Sequence, residues 1–393
     1  MVYYKRKIEE KINKELKNKD IIILTGMRRV GKTSILREIF RKTTGNKIWF
    51  DFENPLHARF FEDLDYDDII ERLVARGLKR QDRMHVFIDE AQNFPDIAKV
   101  AKYLHDHYDI KFFLTGSASF YLKNLFSESL SGRKKIFELF PLDFEEFLLF
   151  KNITLTSYKT LRKKTKIKEI EYEEFDAYYN EYLEWGGFPQ AVLAEGATDK
   201  FSRLEEIFSS YWQKEVIGLA DYRKNDKVRE LILLLSARVG SKLDVVKLAQ
   251  ILKITRPTVY SYLSFLEASY MINLVQPFSQ NIDREVAGAP KLYFCDNGLL
   301  KVFTKLNEGQ ILENSVFNQL RNIGSVNYFE KRNGGEIDFI LDKKQAFEVK
   351  HNATLSDQKE LERRSASLKI QKCRVVSKNY VDGLDKVKFA QFI

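Results

Sequence analysis

Cysteine is nearly absent from this chain. Only Cys295 and Cys373 occur in 393 residues, and they stand far apart. That excludes a disulfide framework, a zinc quartet built on cysteines and a C-x-x-C redox pair, and it suits a reducing compartment. The five histidines form no cluster at zinc-site spacing. Only seven prolines and 18 glycines are present, and no Gly/Ser- or Pro-rich stretch appears, so the domains are expected to be joined closely rather than by flexible tethers. No apolar run approaches 18 residues, so no membrane-crossing helix is expected. The opening Met1 to Lys7 lacks the apolar stretch of a secretory signal, which makes the expected location cytoplasmic. There is no internal repeat.

The composition is that of a globular chain. Apolar residues make up 44% and charged residues 31%. The length predicts two to three domains with ample core. Lys and Arg number 65 against 56 Asp and Glu, a formal charge of +9. A basic balance suits a polyanionic partner, though weakly at this length.

The chemistry begins at residue 26. The apolar run Ile21 to Leu24, then Thr25, leads into Gly26-Met27-Arg28-Arg29-Val30-Gly31-Lys32-Thr33, a G-x-x-x-x-G-K-T phosphate loop. Ser34 to Phe40 follow with helical spacing. The glycines let successive N–H groups converge on one anion, and the helix that follows points its positive end there. Lys32 would reach the β- and γ-phosphates of ATP, and the Thr33 hydroxyl would ligate Mg2+. His85 to Glu90 form an apolar strand that ends in two carboxylates, expected beside the loop strand in one parallel sheet. Asp89 would hold Mg2+ through water, and Glu90 would orient or deprotonate the attacking water. A third buried strand ends at Thr115-Gly116-Ser117, where Ser117 or Thr115 would sense the γ-phosphate.

These motifs together resemble the prokaryotic AAA-like P-loop ATPases with paired arginines in the loop, here Arg28 and Arg29. The similarity continues through Thr115-Gly116-Ser117, Gly132-Arg133, Pro141-Leu142-Asp143-Phe144-Glu145-Glu146-Phe147 and Gly186-Gly187-Phe188-Pro189, and it extends almost to the C-terminus. The resemblance implies an α/β P-loop ATPase domain, a helical lid, a winged helix and a C-terminal nuclease-like domain. It gives Pro189 an adenine contact, although a plain inter-helix turn explains Gly-Gly-x-Pro equally well. Arg133 matches the family's G-R and is expected near the nucleotide-proximal edge of the sheet. There it would act as an arginine finger, in cis or across an oligomer.

The expected domains are 1–140 for the ATPase, 141–224 for the lid, 225–288 for a winged helix and 289–393 for the tail. Residues 6–17 read as a basic helix. The stretch 151–168 holds seven basic residues and no acid, read as a solvated insertion rather than a nucleic-acid contact. In the helix-turn-helix segment, Val259, Leu263 and Leu266 face inward while Arg256, Thr258 and Ser261 face out. With one cation among the outward residues, a structural role is favoured over DNA reading.

The tail offers a second chemistry. Asp338, Glu348 and Lys350 form D-x(9)-E-x-K on two successive strands, and Glu313 lies on the preceding helix. Glu348 and Lys350 share a face by alternation. The array resembles the PD-(D/E)xK nuclease core, in which Glu313, Asp338 and Glu348 would bind a divalent ion beside Lys350. Two readings stay open. One is an ATPase coupled to a nucleic-acid transaction through a metal nuclease tail, with DNA as candidate partner. The other is a nucleotide-dependent switch or assembly protein whose tail is not catalytic.

Overall fold

A computed structural model describes residues 3–63, 65–117, 132–217, 225–279, 285, 288–331 and 334–393. The chain divides into two compact units. One comprises Met1–Phe140 with Ala268–Tyr270, and the other Pro141–Glu267 with Met271–Ile393. Apart from Ala268–Tyr270, the residues assigned from sequence to lid, helix-turn-helix and tail thus fall within a single unit.

The first unit is built on a five-stranded sheet of β1 (Ile21–Thr25), β2 (Lys47–Asp51), β3 (Met84–Asp89), β4 (Ile110–Gly116) and β5 (Lys134–Glu138). The strand order is β2-β3-β4-β1-β5, and every pairing is parallel. β1 and β4 are buried along their whole length, as expected for central strands covered on both faces. Helices α1 (Ile8–Lys14), α2 (Lys32–Lys42), α3 (Pro55–Arg59), α4 (Tyr66–Ala75) and α5 (Ile97–His107) connect or flank the strands. Ile69, Ile70 and Leu73 of α4 and Val100, Ala101 and Leu104 of α5 share a core with Val86, Ile88, Phe112 and Leu114 of the sheet. One expectation is corrected here. β3 does not lie beside β1, because β4 stands between them. A hydroxyl on β4 can therefore reach Asp89 at the end of β3.

The second unit starts with helices Phe144–Phe150, Leu155–Lys163, Glu169–Trp185, Pro189–Val192 and Gly196–Tyr211. Aromatic packing joins them, with Phe144 edge-on to Tyr158 and to Tyr179. The basic stretch 151–168 includes one of these helices, with Tyr158 and Leu161 buried. Lys159 and Arg162 pair with Glu145, and Lys164 with Glu171, so these three cations have acidic partners in the same unit.

Helices Asn225–Ser236, Val245–Leu252 and Arg256–Ala268 come next, followed by the antiparallel pair β6 (Ile272–Val275) and β7 (Lys291–Phe294). Val259, Leu263 and Leu266 are buried, while Arg256 and Ser261 are exposed. Helices Asn297–Phe303 and Glu308–Leu320 lead to a second five-stranded sheet, β8 (Val326–Glu330), β9 (Glu336–Leu341), β10 (Gln345–Lys350), β11 (Lys372–Ser377) and β12 (Val387–Phe389). The order is sequential, with β8–β9 and β9–β10 antiparallel and β10–β11 and β11–β12 parallel. The parallel crossover is made by the helix Leu355–Ser367.

Candidate functional site

The phosphate loop occupies the carboxyl end of β1. Gly31 caps α2 with φ 105°, a left-handed conformation that suits glycine, and it offers no side chain to the first N–H groups of the helix. The helix dipole favours an anion at those donors. Lys32 is 4% exposed, and its ammonium donates to the carbonyls of Gly26 at 2.8 Å and Met27 at 2.9 Å. Its charge is thus held inside the loop by two neutral acceptors.

Arg6 braces the loop from the N-terminal segment. It donates to Val30 O at 2.9 Å and to Phe140 O at 2.9 Å. The basic helix expected over 6–17 is shorter, and its first cation is buried in this contact. Nothing in the sequence distinguishes Arg6 from its solvated basic neighbours.

Across the sheet edge lie the acids. Thr33 donates its hydroxyl to Asp89 Oδ1 at 3.2 Å. Thr115 of β4 donates to the same oxygen and accepts from Glu90 N at 3.1 Å. Burial raises the Asp89 carboxyl above its ordinary range, and the two hydroxyls oppose that rise. Glu90 adopts a left-handed φ of 55°, a strained geometry that turns it out of the strand. Gln92 donates to Glu90 and also to Ser117 Oγ at 3.1 Å. The guanidinium of Arg28 stands 3.6 Å from Glu90 Oε2. Gly26 to Ser34, Asp89, Glu90, Thr115 and Ser117 therefore belong to one neighbourhood. The donor set fits Mg2+, because a hydroxyl and a buried carboxylate are hard oxygen ligands at the N-terminus of a phosphate-binding helix.

Arg133 lies elsewhere. Ile21, the first residue of β1, pairs with Lys134, and Ile21 N donates to Arg133 O at 2.8 Å. Arg133 is therefore at the amino end of the sheet, whereas the loop leaves its carboxyl end. Its side chain pairs with Asp106 at the end of α5, at 2.6 Å. The expectation of a nucleotide-proximal arginine acting in cis is corrected by strand direction.

Gly186 to Pro189 form a junction within the second unit. Gly187 N donates to Asp296 at 2.6 Å, and Leu142 N donates to Gly187 O at 2.8 Å. A Cβ on Gly187 would sit 2.2 Å from Leu142 O, and one on Gly186 would sit 2.1 Å from Asp296 Oδ1. Asp296 also caps the helix Asn297–Phe303 through Leu299 N. Burial raises its carboxyl to about 6. The glycines are thereby explained by packing, and Pro189 occupies the first turn of its helix, where proline is favoured.

In the tail, Phe347 pairs with Phe339 across the β9–β10 hairpin. One further step along that register sets Asp338 across from Glu348. The three acids singled out from sequence do meet, but they do not form a ligand set. Asp338 Oδ2 accepts from Val349 N at 2.7 Å, Glu348 Oε1 from Lys350 at 2.9 Å, and Glu313 Oε1 from Tyr293 OH at 2.6 Å. Lys291 approaches Glu313 at 3.5 Å and pairs with Glu336. Among the described residues no group of three His, Cys, Asp or Glu is spaced to hold a metal. The expected divalent site at Glu313, Asp338 and Glu348 does not fit, because one oxygen of each acid is already engaged and an ammonium lies among them. Burial, then the Asp338 charge, raises Glu313 and Glu348 to about 7 each.

An AAA domain model matches residues 18–148, and models of two domains of unknown function match 176–310 and 308–389. The uncharacterised protein MJ1544 of Methanocaldococcus jannaschii is 30% identical over 333 residues, which cover 82% of this chain and 72% of that protein. An uncharacterised protein of Haemophilus influenzae is 26% identical over 365 residues, 87% of this chain and 86% of that one. Among solved structures, the Walker-type ATPase PABY2304 of Pyrococcus abyssi aligns with 77% of this chain and 96% of its own, at 17% identity and TM-score 0.48. The ORC1 protein of Aeropyrum pernix, in complex with DNA, aligns with 81% of this chain and 95% of its own, at 13% identity and TM-score 0.32. Residues 18–148 are thus an AAA-type P-loop ATPase-like domain. No helix among the described residues is long and apolar enough to cross a membrane.

Proposed function

We infer that this chain, which belongs to the protein family of MJ1544 from Methanocaldococcus jannaschii, is a Mg2+-dependent ATPase working as a nucleotide-driven switch or assembly protein, with a tail that is not a metal nuclease. The observation that carries the ATPase reading is the convergence of Thr33 and Thr115 on Asp89, next to Glu90 and one residue from Lys32. Sequence spacing alone cannot create that convergence.

ATP would meet the first N–H groups of α2 with its β- and γ-phosphates. Lys32 would exchange its two carbonyl acceptors for phosphate oxygens. Thr33 and Asp89 would hold Mg2+, which supplies charge neutralisation and orientation of the phosphates. Glu90 would position a water for attack on the γ-phosphorus and accept its proton. The new P–O bond forms as the bond to the β,γ-bridging oxygen breaks, giving ADP and inorganic phosphate. Arg28 and Gln92 hold the Glu90 carboxylate in the resting state, so its release is part of the same event.

The tail supports the switch reading over the nuclease reading through Lys291, which lies where a nuclease would need an open cation position. The test of the ATPase assignment is Glu90→Gln. The amide keeps the size but cannot take a proton. Binding should persist while turnover falls by about 100- to 10,000-fold, the usual worth of a positioned general base. Turnover of the variant at the wild-type rate, or no Mg2+-dependent hydrolysis by the wild type, would overturn the proposal.

A further inference from the structure

Four carboxylates gather at the β9–β10 hairpin and the helix Glu308–Leu320: Glu313, Glu336, Asp338 and Glu348. Facing them are Lys291, Lys350 and Arg364. Lys350 bonds Glu348, and Arg364 lies 3.8 Å from its other oxygen. Lys291 is different in kind. It begins β7, a strand buried at every position, and is itself only 5% exposed. Its ammonium pairs with Glu336 and stands 3.5 Å from Glu313. The Tyr293 hydroxyl holds Glu313 from the same strand. Gly240 packs closely against the same carboxylate, since a Cβ there would lie 2.9 Å from Glu313 Oε2.

A buried charge persists only when paired. Without Lys291, four carboxylates would share two cations, and the cluster would have to protonate or recruit a cation. We propose that Lys291 is a resident ammonium that occupies the cation position of this cluster, so that the tail takes up no divalent ion, and that removing its charge and bulk lets the acids, which do not stand at ligand spacing around it, close on Mg2+ or Mn2+. Mg2+ demands oxygen ligands at about 2.0–2.1 Å in near-octahedral array. An ammonium among the acids denies that geometry by both charge and volume. The inference rests on the non-nuclease half of the proposed function and is independent of the ATPase half.

The test is Mn2+ titration of the full chain without nucleotide, followed by the free-ion paramagnetic resonance signal, with melting temperatures in Mn2+ and in chelator. For the wild type, the titration should be the same as for Asp338→Asn, and melting should be equal with Mn2+ and chelator. Lys291→Ala should gain one Mn2+ site, visible also as a rise in melting temperature, and adding Asp338→Asn should remove it. Lys291→Arg, which keeps the charge, should gain none. Mn2+ uptake by the wild type that Asp338→Asn or Glu313→Gln abolishes would overturn the proposal, even if Lys291→Ala failed to fold. So would a folded Lys291→Ala that gains no site. Because no nucleotide is present, either outcome leaves the reading of Lys32 and Glu90 to its own assay.

Discussion

Replacing Lys32 with alanine isolates what the phosphate loop contributes to nucleotide affinity. In the resting structure the ammonium is not idle, since it donates to Gly26 O at 2.8 Å and Met27 O at 2.9 Å. Moving to ATP exchanges these acceptors for charged ones. Two hydrogen bonds between oppositely charged partners are worth roughly 6 kcal/mol, and the two relinquished bonds from the ammonium to neutral carbonyls roughly 3.5 kcal/mol. The difference, about 2.5 kcal/mol, corresponds to a Kd raised about 70-fold. The full loss of phosphate contacts does not appear in Kd, because the wild type also breaks its own bonds on binding. Calorimetric titration with Mg2+ and a non-hydrolysable ATP analogue, at fixed salt, measures the change. Lys32→Ala should also lower stability by about 1–2 kcal/mol, because two loop carbonyls lose their partner. A folded variant whose Kd stays within about threefold of wild type would refute the reasoning, whatever its turnover.

Gly187→Ala should destabilise the second unit by roughly 1–3 kcal/mol or prevent its folding, because the new methyl meets a backbone carbonyl at 2.2 Å that cannot rotate away; unchanged denaturant midpoints would contradict this. Glu313 carries a folded value of about 7 against a reference of 4.5. The folded state therefore keeps a proton that the unfolded chain has released, and the contribution of Glu313 to stability is lost as pH rises through that window. Glu313→Gln should gain stability relative to wild type between pH 5 and pH 8, by roughly 3 kcal/mol at most, and parallel pH profiles in urea melts would exclude it. Arg133→Ala should leave single-chain ATP hydrolysis unchanged and cost less than about 1 kcal/mol, since its pair with Asp106 is partly exposed. If hydrolysis falls, mixing the variant with Lys32→Ala reports whether Arg133 acts on a neighbouring chain.

The phosphate loop, the acids Asp89 and Glu90 where β3 ends, and the threonine near the end of β4 could be read from sequence because each is a local pattern of short apolar strands ending in polar residues. Strand order is not local. Placing β4 between β1 and β3 depends on how crossovers pack, and no spacing of His85 to Glu90 reveals it. Arg133 shows the same limit in a sharper form. Its motif was visible, but whether it precedes or follows a strand decides which end of a parallel sheet it occupies. Lys291 was the harder case. A lysine opening the run Leu292-Tyr293-Phe294 is a visible anomaly, since a fully buried strand rarely starts with a charge. Its partners lie on other strands and on a helix, so the anomaly could be noticed but not resolved. The acids Asp338 and Glu348 had the spacing of a metal site, and spacing carries no information about which oxygens the fold has already engaged.

The two clusters differ in how firmly their charges are held, and that difference argues for where the protein can respond to a ligand. In the nucleotide site, neutral or distant acceptors are among the contacts that the cations make. Lys32 has neutral carbonyls, Arg28 stands 3.6 Å from Glu90, and the first N–H groups of α2 have no capping side chain. A polyphosphate offers each of these groups a stronger acceptor, so binding must rearrange them. In the tail, Lys350 is bonded to Glu348 at 2.9 Å, Lys291 is enclosed between two carboxylates, and Tyr293 fixes Glu313. An incoming ion would have to displace the Lys291 ammonium or compete with it for the same carboxylates. A ligand shifts a structure only by its differential affinity for two states. The phosphate loop has that differential built in, and the carboxylate cluster does not acquire it until Lys291 is removed.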